Sequence, residues 1–156
     1  MAARSSPLTT PQALFFGTLA VAGLDILDAV LFFGIRNDVQ PIAIFQSIAS
    51  GVMGRAAYDG GVATALLGGA LHVLIALLVV AVYLAAARRW RRLARKPLLY
   101  GPLYGLAVYV VMNLVVVPLS AAAVGPPSWP VVVNGVLIHI LGVGVPTAYV
   151  AKAGRR

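Results

Sequence analysis

The sequence predicts an all-α, polytopic membrane protein: one four-helix transmembrane bundle over residues 1–156, with a short additional helix on its outer side. Three observations carry this reading. Of 156 residues, 61% are hydrophobic and only 10% charged, and the mean hydropathy is +0.95. Soluble domains carry about 25% charged residues, so this chain has too few to clothe a water-facing surface. Four segments are each apolar over the length of about 20 residues that a bilayer crossing needs. Six of the twelve Lys and Arg residues fall in one nine-residue stretch between two of these segments, as topology-setting clusters do.

The first span is expected at about 13–35. Ala20-Val21-Ala22 imitates a signal cleavage site, but the apolar run continues to Phe33, which favours a retained helix. A short helix follows at about 41–54, with Asn37 or Asp38 as cap and Pro41 in its first turn. Ile42, Phe45, Ile48, Ala49, Val52 and Met53 share one face of it, and Gln46, Ser47, Ser50 and Gly54 lie elsewhere. It is too short to span, which makes it interfacial or re-entrant. The second, third and fourth spans are expected at about 62–87, 98–124 and 131–150. Trp90, Tyr100, Tyr104 and Trp129 lie near span ends, where amphipathic rings favour the interface.

Charge sets the orientation. Arg4 precedes the first span, Arg88, Arg89, Arg91, Arg92, Arg95 and Lys96 separate the second and third, and Lys152, Arg155 and Arg156 close the chain. The loop between the third and fourth spans is uncharged, and the loop after the first balances Arg36 and Arg55 against Asp38 and Asp59. Both termini are therefore expected in the cytoplasm, with the basic loop against anionic lipid. That clustering beside apolar spans accounts for the net charge of +8 without nucleic acid as a partner.

The informative residues are those that lipid rejects. Asp25 and Asp28 lie three apart in the first span, on one helix face. On insertion scales they cost together about 5–7 kcal/mol, while the strongly apolar residues from Leu14 to Phe33 return about 4–7 kcal/mol. The span is marginal alone and must turn this face into a bundle. Two ionised carboxylates at that spacing repel, so at least one is expected to hold a proton. His72, Asn113 and His139 each lie inside another span, at similar depth. Small residues flank them: Ala65, Gly68 and Ala76 around His72, Gly135 and Gly142 around His139, and Gly101 and Gly105 below Tyr109 and Asn113. Small residues at four-residue spacing let helix backbones approach closely.

Three readings fit this Asp25, Asp28, His72, Asn113, His139 layer. It is a hydrogen-bonded network that fixes helix register in a structural or accessory subunit; or a proton or small-polar-solute path; or a bis-His haem or metal site on His72 and His139. The solute reading leads, with no resident cofactor, and with a homo-oligomer completing the path through Gly101 and Gly105. No enzyme is expected: phosphate-cradling, dinucleotide, His-Glu-x-x-His and Gly-x-Ser-x-Gly motifs are missing, Ser47 and Ser50 have no base nearby in sequence, and the chain has no Cys. A weak repeat relates Gly69–Leu74, Tyr83 and Arg89 to Val136–Leu141, Tyr149 and Arg156, which two parallel hairpins or composition alone can produce.

Leu71-His72, Tyr83, the basic loop, Tyr100-Gly101, Pro118-Leu119 and His139 together resemble the YagU-like small bacterial inner-membrane proteins, over about residues 65–150. Ile44 to Gly51 is similar to a segment of other small four-helix chains. The resemblance implies a bundle in the bacterial inner membrane and supplies no catalytic residue. It does not extend to Asp25 and Asp28.

Overall fold

A computed structural model describes residues 7–122 and 124–154; Arg4, Arg155 and Arg156 lie outside the described residues. The described chain is helical and contains no strand among those residues. Helix α1 (Thr10–Asn37) opens on a reciprocal cap, Thr9 Oγ1 to the Gln12 amide and Gln12 Oε1 to the Thr9 N–H, with Pro11 in the first turn. It ends where Asp38 takes up a left-handed conformation and returns its N–H to Gly34. Asn37 and Asp38 therefore finish α1 rather than cap the next helix. That helix, α2 (Pro41–Met53), starts on Pro41 with Gln40 at the cap position and no side-chain cap bond. A 3-10 turn over Gly54–Tyr58 leads to α3 (Gly61–Arg89). Gly54 and Gly61 both hold positive φ, which a side chain would strain. Helix α4 (Arg92–Arg95) is a single turn inside the basic loop. Helices α5 (Pro97–Leu119) and α6 (Trp129–Ala153) complete the chain.

Helices α1, α3, α5 and α6 are long and apolar enough to cross a membrane. They run alternately up and down. Leu8 N–H donates to the Ala153 carbonyl, and Arg88 Nη2 donates to Thr10 Oγ1, so both chain ends and the basic loop share one end of the bundle. Tyr83 Oη ties the same end by donating to the Leu93 carbonyl. Helix α6 packs against α1, α3 and α5, and α2 lies across α3. Helix α5 stops at Leu119, short of the expected 124, because Ser120 is extended and its hydroxyl accepts the Ala122 N–H.

Both α5 and α6 carry a π-helical turn, over Met112–Val116 and His139–Gly144. Each ends two residues before a proline, Pro118 or Pro146. A proline offers no N–H and crowds the carbonyl four residues back, and the wider turn absorbs that conflict. Helices α1 and α3 have no such turn, so the repeat seen in the sequence is not matched in backbone geometry.

What is buried is small. The apolar interior is mostly alanine with a few Val, Ile44 and Tyr83, whereas Ile35, Leu66, Leu98, Leu114 and Leu119 are among many large residues on the outside. On α2 the apolar face turns outward at Ile42, Val52 and Met53, and Gln46 and Ser50 are buried. Trp90 and Trp129 are exposed, but Tyr104 is not an interface ring: its hydroxyl donates to Val79 of α3 at 2.7 Å, with its ring edge-on to Tyr83.

Candidate functional site

Four of the five polar residues singled out in the sequence line one cavity of about 390 Å³. Helix α1 brings Asp25, α3 brings His72, α5 brings Asn113 and α6 brings His139, while Ser47 of α2 closes the cavity from above. The remaining wall is apolar, including Val21, Phe33, Ile44, Val79, Val108 and Val143. Helix α2 forms the roof because Gly68 of α3 lets the Phe45 backbone sit directly on it. Gln46 Nε2 anchors it further, donating to the Gly61 carbonyl at 3.1 Å. At the other end of α2 the Ala121 N–H donates to the Gly51 carbonyl at 2.9 Å.

Each polar wall residue except Asp25 is fixed by a bond to backbone. His72 Nε2–H donates to the Ala22 carbonyl of α1 at 3.0 Å, a link between two helices. His139 Nδ1–H donates within its own helix to Gly135 at 2.8 Å. A carbonyl can only accept, so these contacts fix which ring nitrogen carries hydrogen in the neutral imidazole. Asn113 Nδ2 donates to the Tyr109 carbonyl at 3.0 Å, and Ser47 Oγ donates to the Ile44 carbonyl at 2.7 Å. Asn113 and His139 both belong to π turns. In the first of these the Val117 N–H goes to the Met112 carbonyl and Pro118 has none, so the Asn113 carbonyl receives neither donor.

Asp25 is different. It lies within electrostatic reach of His139, His72 and Asp28, yet has no hydrogen bond or ion pair among the described residues. Asp28 does not join it in the cavity. Three residues along a helix leave the two carboxyls about 60° apart around the axis, and Asp28 Oδ2 instead accepts Asn134 Nδ2 of α6 at 2.6 Å. The pair expected to act together is thus divided into a partnered carboxyl and an unpartnered one. Sequence reasoning missed Asn134, although an amide early in the fourth span, level with an Asp late in the first, was a readable signal.

Gly101 and Gly105 are consumed within the chain. A Cβ on Gly105 would meet the His139 carbonyl oxygen, and one on Gly101 would stand 3.0 Å from the Gly144 carbonyl. They bring α5 against α6, which leaves them unavailable for the contact between copies expected from the sequence. Tyr109 extends the same seam, its ring edge-on to His139 with centroids 5.4 Å apart. Among the described residues no three His, Asp or Glu side chains converge closely enough to hold a metal ion. Compared with known protein families, curated proteins and solved structures, the chain matches none.

Proposed function

We propose that this chain is a multi-pass protein of the bacterial inner membrane, with cytoplasmic termini, that binds a proton or small polar solute in the cavity beneath α2 and passes it across. No covalent chemistry is part of this reading. A shell of large apolar side chains around an interior of small residues supports the membrane setting, because lipid tails give no reason to bury Leu and every reason to bring small residues together. The basic loop at the end shared with both termini supports the orientation. Outward Ile42, Val52 and Met53 on α2, with Gln46 and Ser50 inward, support a re-entrant helix sunk into the outer leaflet.

The unpartnered carboxyl of Asp25 carries the functional reading. A carboxyl kept in an apolar bundle without a bond to repay its desolvation lowers stability, which a packing role does not require. Asp28, bonded to Asn134, fits the structural role instead.

The two carboxyls should therefore respond oppositely to replacement. Asp25→Leu is expected to leave the melting temperature of detergent-solubilised protein unchanged or raise it. Asp28→Leu strands Asn134 and is expected to cost about 1–3 kcal/mol. In sealed vesicles holding a pH-sensitive dye, wild-type protein is expected to dissipate an imposed proton gradient or admit a small polar solute faster than empty vesicles do, and Asp25→Leu to abolish the difference. Wild-type vesicles as tight as empty ones, with Asp25→Leu melting early, would overturn the reading in favour of a packing layer.

A further inference from the structure

We propose that the cavity beneath α2 is a binding site for a small protonated primary amine, with Asp25 as counter-ion and acceptors on the surrounding helices taking its N–H groups. The inference rests on the cavity being a solute site and names the chemical class of that solute.

The argument is a count of hydrogen-bond capacity around the wall. His72 has spent its N–H on Ala22, His139 on Gly135, Asn113 one of its two amide N–H groups on Tyr109 and Ser47 its hydroxyl on Ile44. Each can still offer an acceptor, Nδ1 of His72, Nε2 of His139, Oδ1 of Asn113 and the lone pairs of Ser47 Oγ, and the one donor left among these four is the second Asn113 N–H. The Asp25 carboxylate adds two more and has no partner of its own. No Lys or Arg lines the cavity, and the rest of its wall is apolar. An anion would meet lone pairs at every polar position but the second Asn113 N–H. A neutral carbonyl compound would use that single donor and leave the acceptors open. A ligand that supplies three N–H donors and a positive charge suits this excess of acceptors and the Asp25 carboxylate.

Size separates an organic cation from a metal ion. The acceptors are spread around about 390 Å³, and the acidic and imidazole groups do not converge into a metal-holding cluster among the described residues. An ammonium group about 3 Å from its acceptors, carrying a short alkyl body, fits both the polar side of the wall and the Ile and Val side. The tautomers fixed by Ala22 and Gly135 serve this purpose, since they hold a lone pair on each imidazole at no cost when the amine arrives.

Calorimetry in detergent micelles tests the idea with three probes of similar size: n-propylammonium, propyltrimethylammonium, which keeps the charge but has no N–H, and butyrate. Wild-type protein is expected to bind n-propylammonium at one site and each of the other two about tenfold more weakly or not at all. Asp25→Asn is expected to weaken n-propylammonium about tenfold, while Asp28→Asn leaves it within about twofold, both variants keeping the helical content of the wild type. Butyrate or the quaternary ion binding as tightly as n-propylammonium would overturn the amine assignment and leave the cavity a site for another solute. So would zinc ion, added alone, binding at one site and blocking n-propylammonium. Absence of any binding overturns the amine assignment too. The vesicle measurement above, which needs no amine, then decides separately whether the cavity handles protons or other solutes.

Discussion

Gly105→Ala is expected to destabilise the protein by about 3 kcal/mol, the upper end of what overpacking costs, and to lower its yield from membranes. The added methyl would collide with the His139 carbonyl oxygen, with the carbonyl carbon 2.7 Å away and the Ile140 Cα at 2.9 Å. These are backbone atoms of α6, so no rotamer change relieves the clash. Either α5 and α6 separate or the π turn that begins at His139 is remade, and each outcome displaces a wall residue of the cavity. Gly101→Ala is expected to be milder, because its nearest obstacles stand at 3.0 Å. Gly23→Ala serves as the control: its Cβ would meet nothing within 4 Å, and alanine favours a helix over glycine by about 0.5–1 kcal/mol. Melting all three in one detergent orders them. Gly105→Ala melting as late as Gly23→Ala would mean that α5 and α6 do not meet at this seam.

Gly68→Ala is the second large effect, with a different readout. Its methyl would fall on the Phe45 carbonyl of α2, 2.7 Å from the carbonyl carbon. Helix α2 is bound to the bundle chiefly along α3, so this substitution, on the α2-facing side of α3, lifts the roof without disturbing the contacts among the four long helices. The expected loss is about 2–3 kcal/mol, confined to α2 and its connections. Because the chain has no cysteine, one introduced at Ile44, 7% exposed and on the cavity wall, reports the roof directly. In the Gly68→Ala background, Ile44→Cys is expected to react with a water-soluble maleimide several times faster than in the parent. Equal rates would show that Gly68 does not seat α2.

Much of this fold was readable because long apolar helices declare themselves through length and composition. Each of the four expected spans contains a long helix, and the short helix begins at Pro41 as expected. Errors arose where local chemistry is ambiguous. Asp38 can cap a following helix or end a preceding one, and only the backbone path decides between them. Helix α5 stops at Leu119 because of Ser120 and the prolines beyond, a tertiary turn that hydropathy does not register. In the site, His72, Asn113, His139 and Asp25, grouped by depth, line one cavity, since residues at one depth in a bundle tend to meet. Asp28, counted at the same depth, does not line that cavity, because depth carries no information about angle around the helix. The π turns were not foreseen. Pro118 and Pro146 signalled a disturbance, but whether a helix kinks or widens depends on its neighbours.

The inverted distribution of side chains, alanine inside and leucine outside, has a consequence for thermodynamics. Heat capacity rises on unfolding in proportion to the apolar area that becomes hydrated, which gives soluble proteins a domed stability curve with a cold branch. Here the large apolar groups already face outward, and in the lipid setting proposed above, helices that separate hand little of that area to water. The curve of stability against temperature is then nearly a straight line, and cooling does not unfold the bundle.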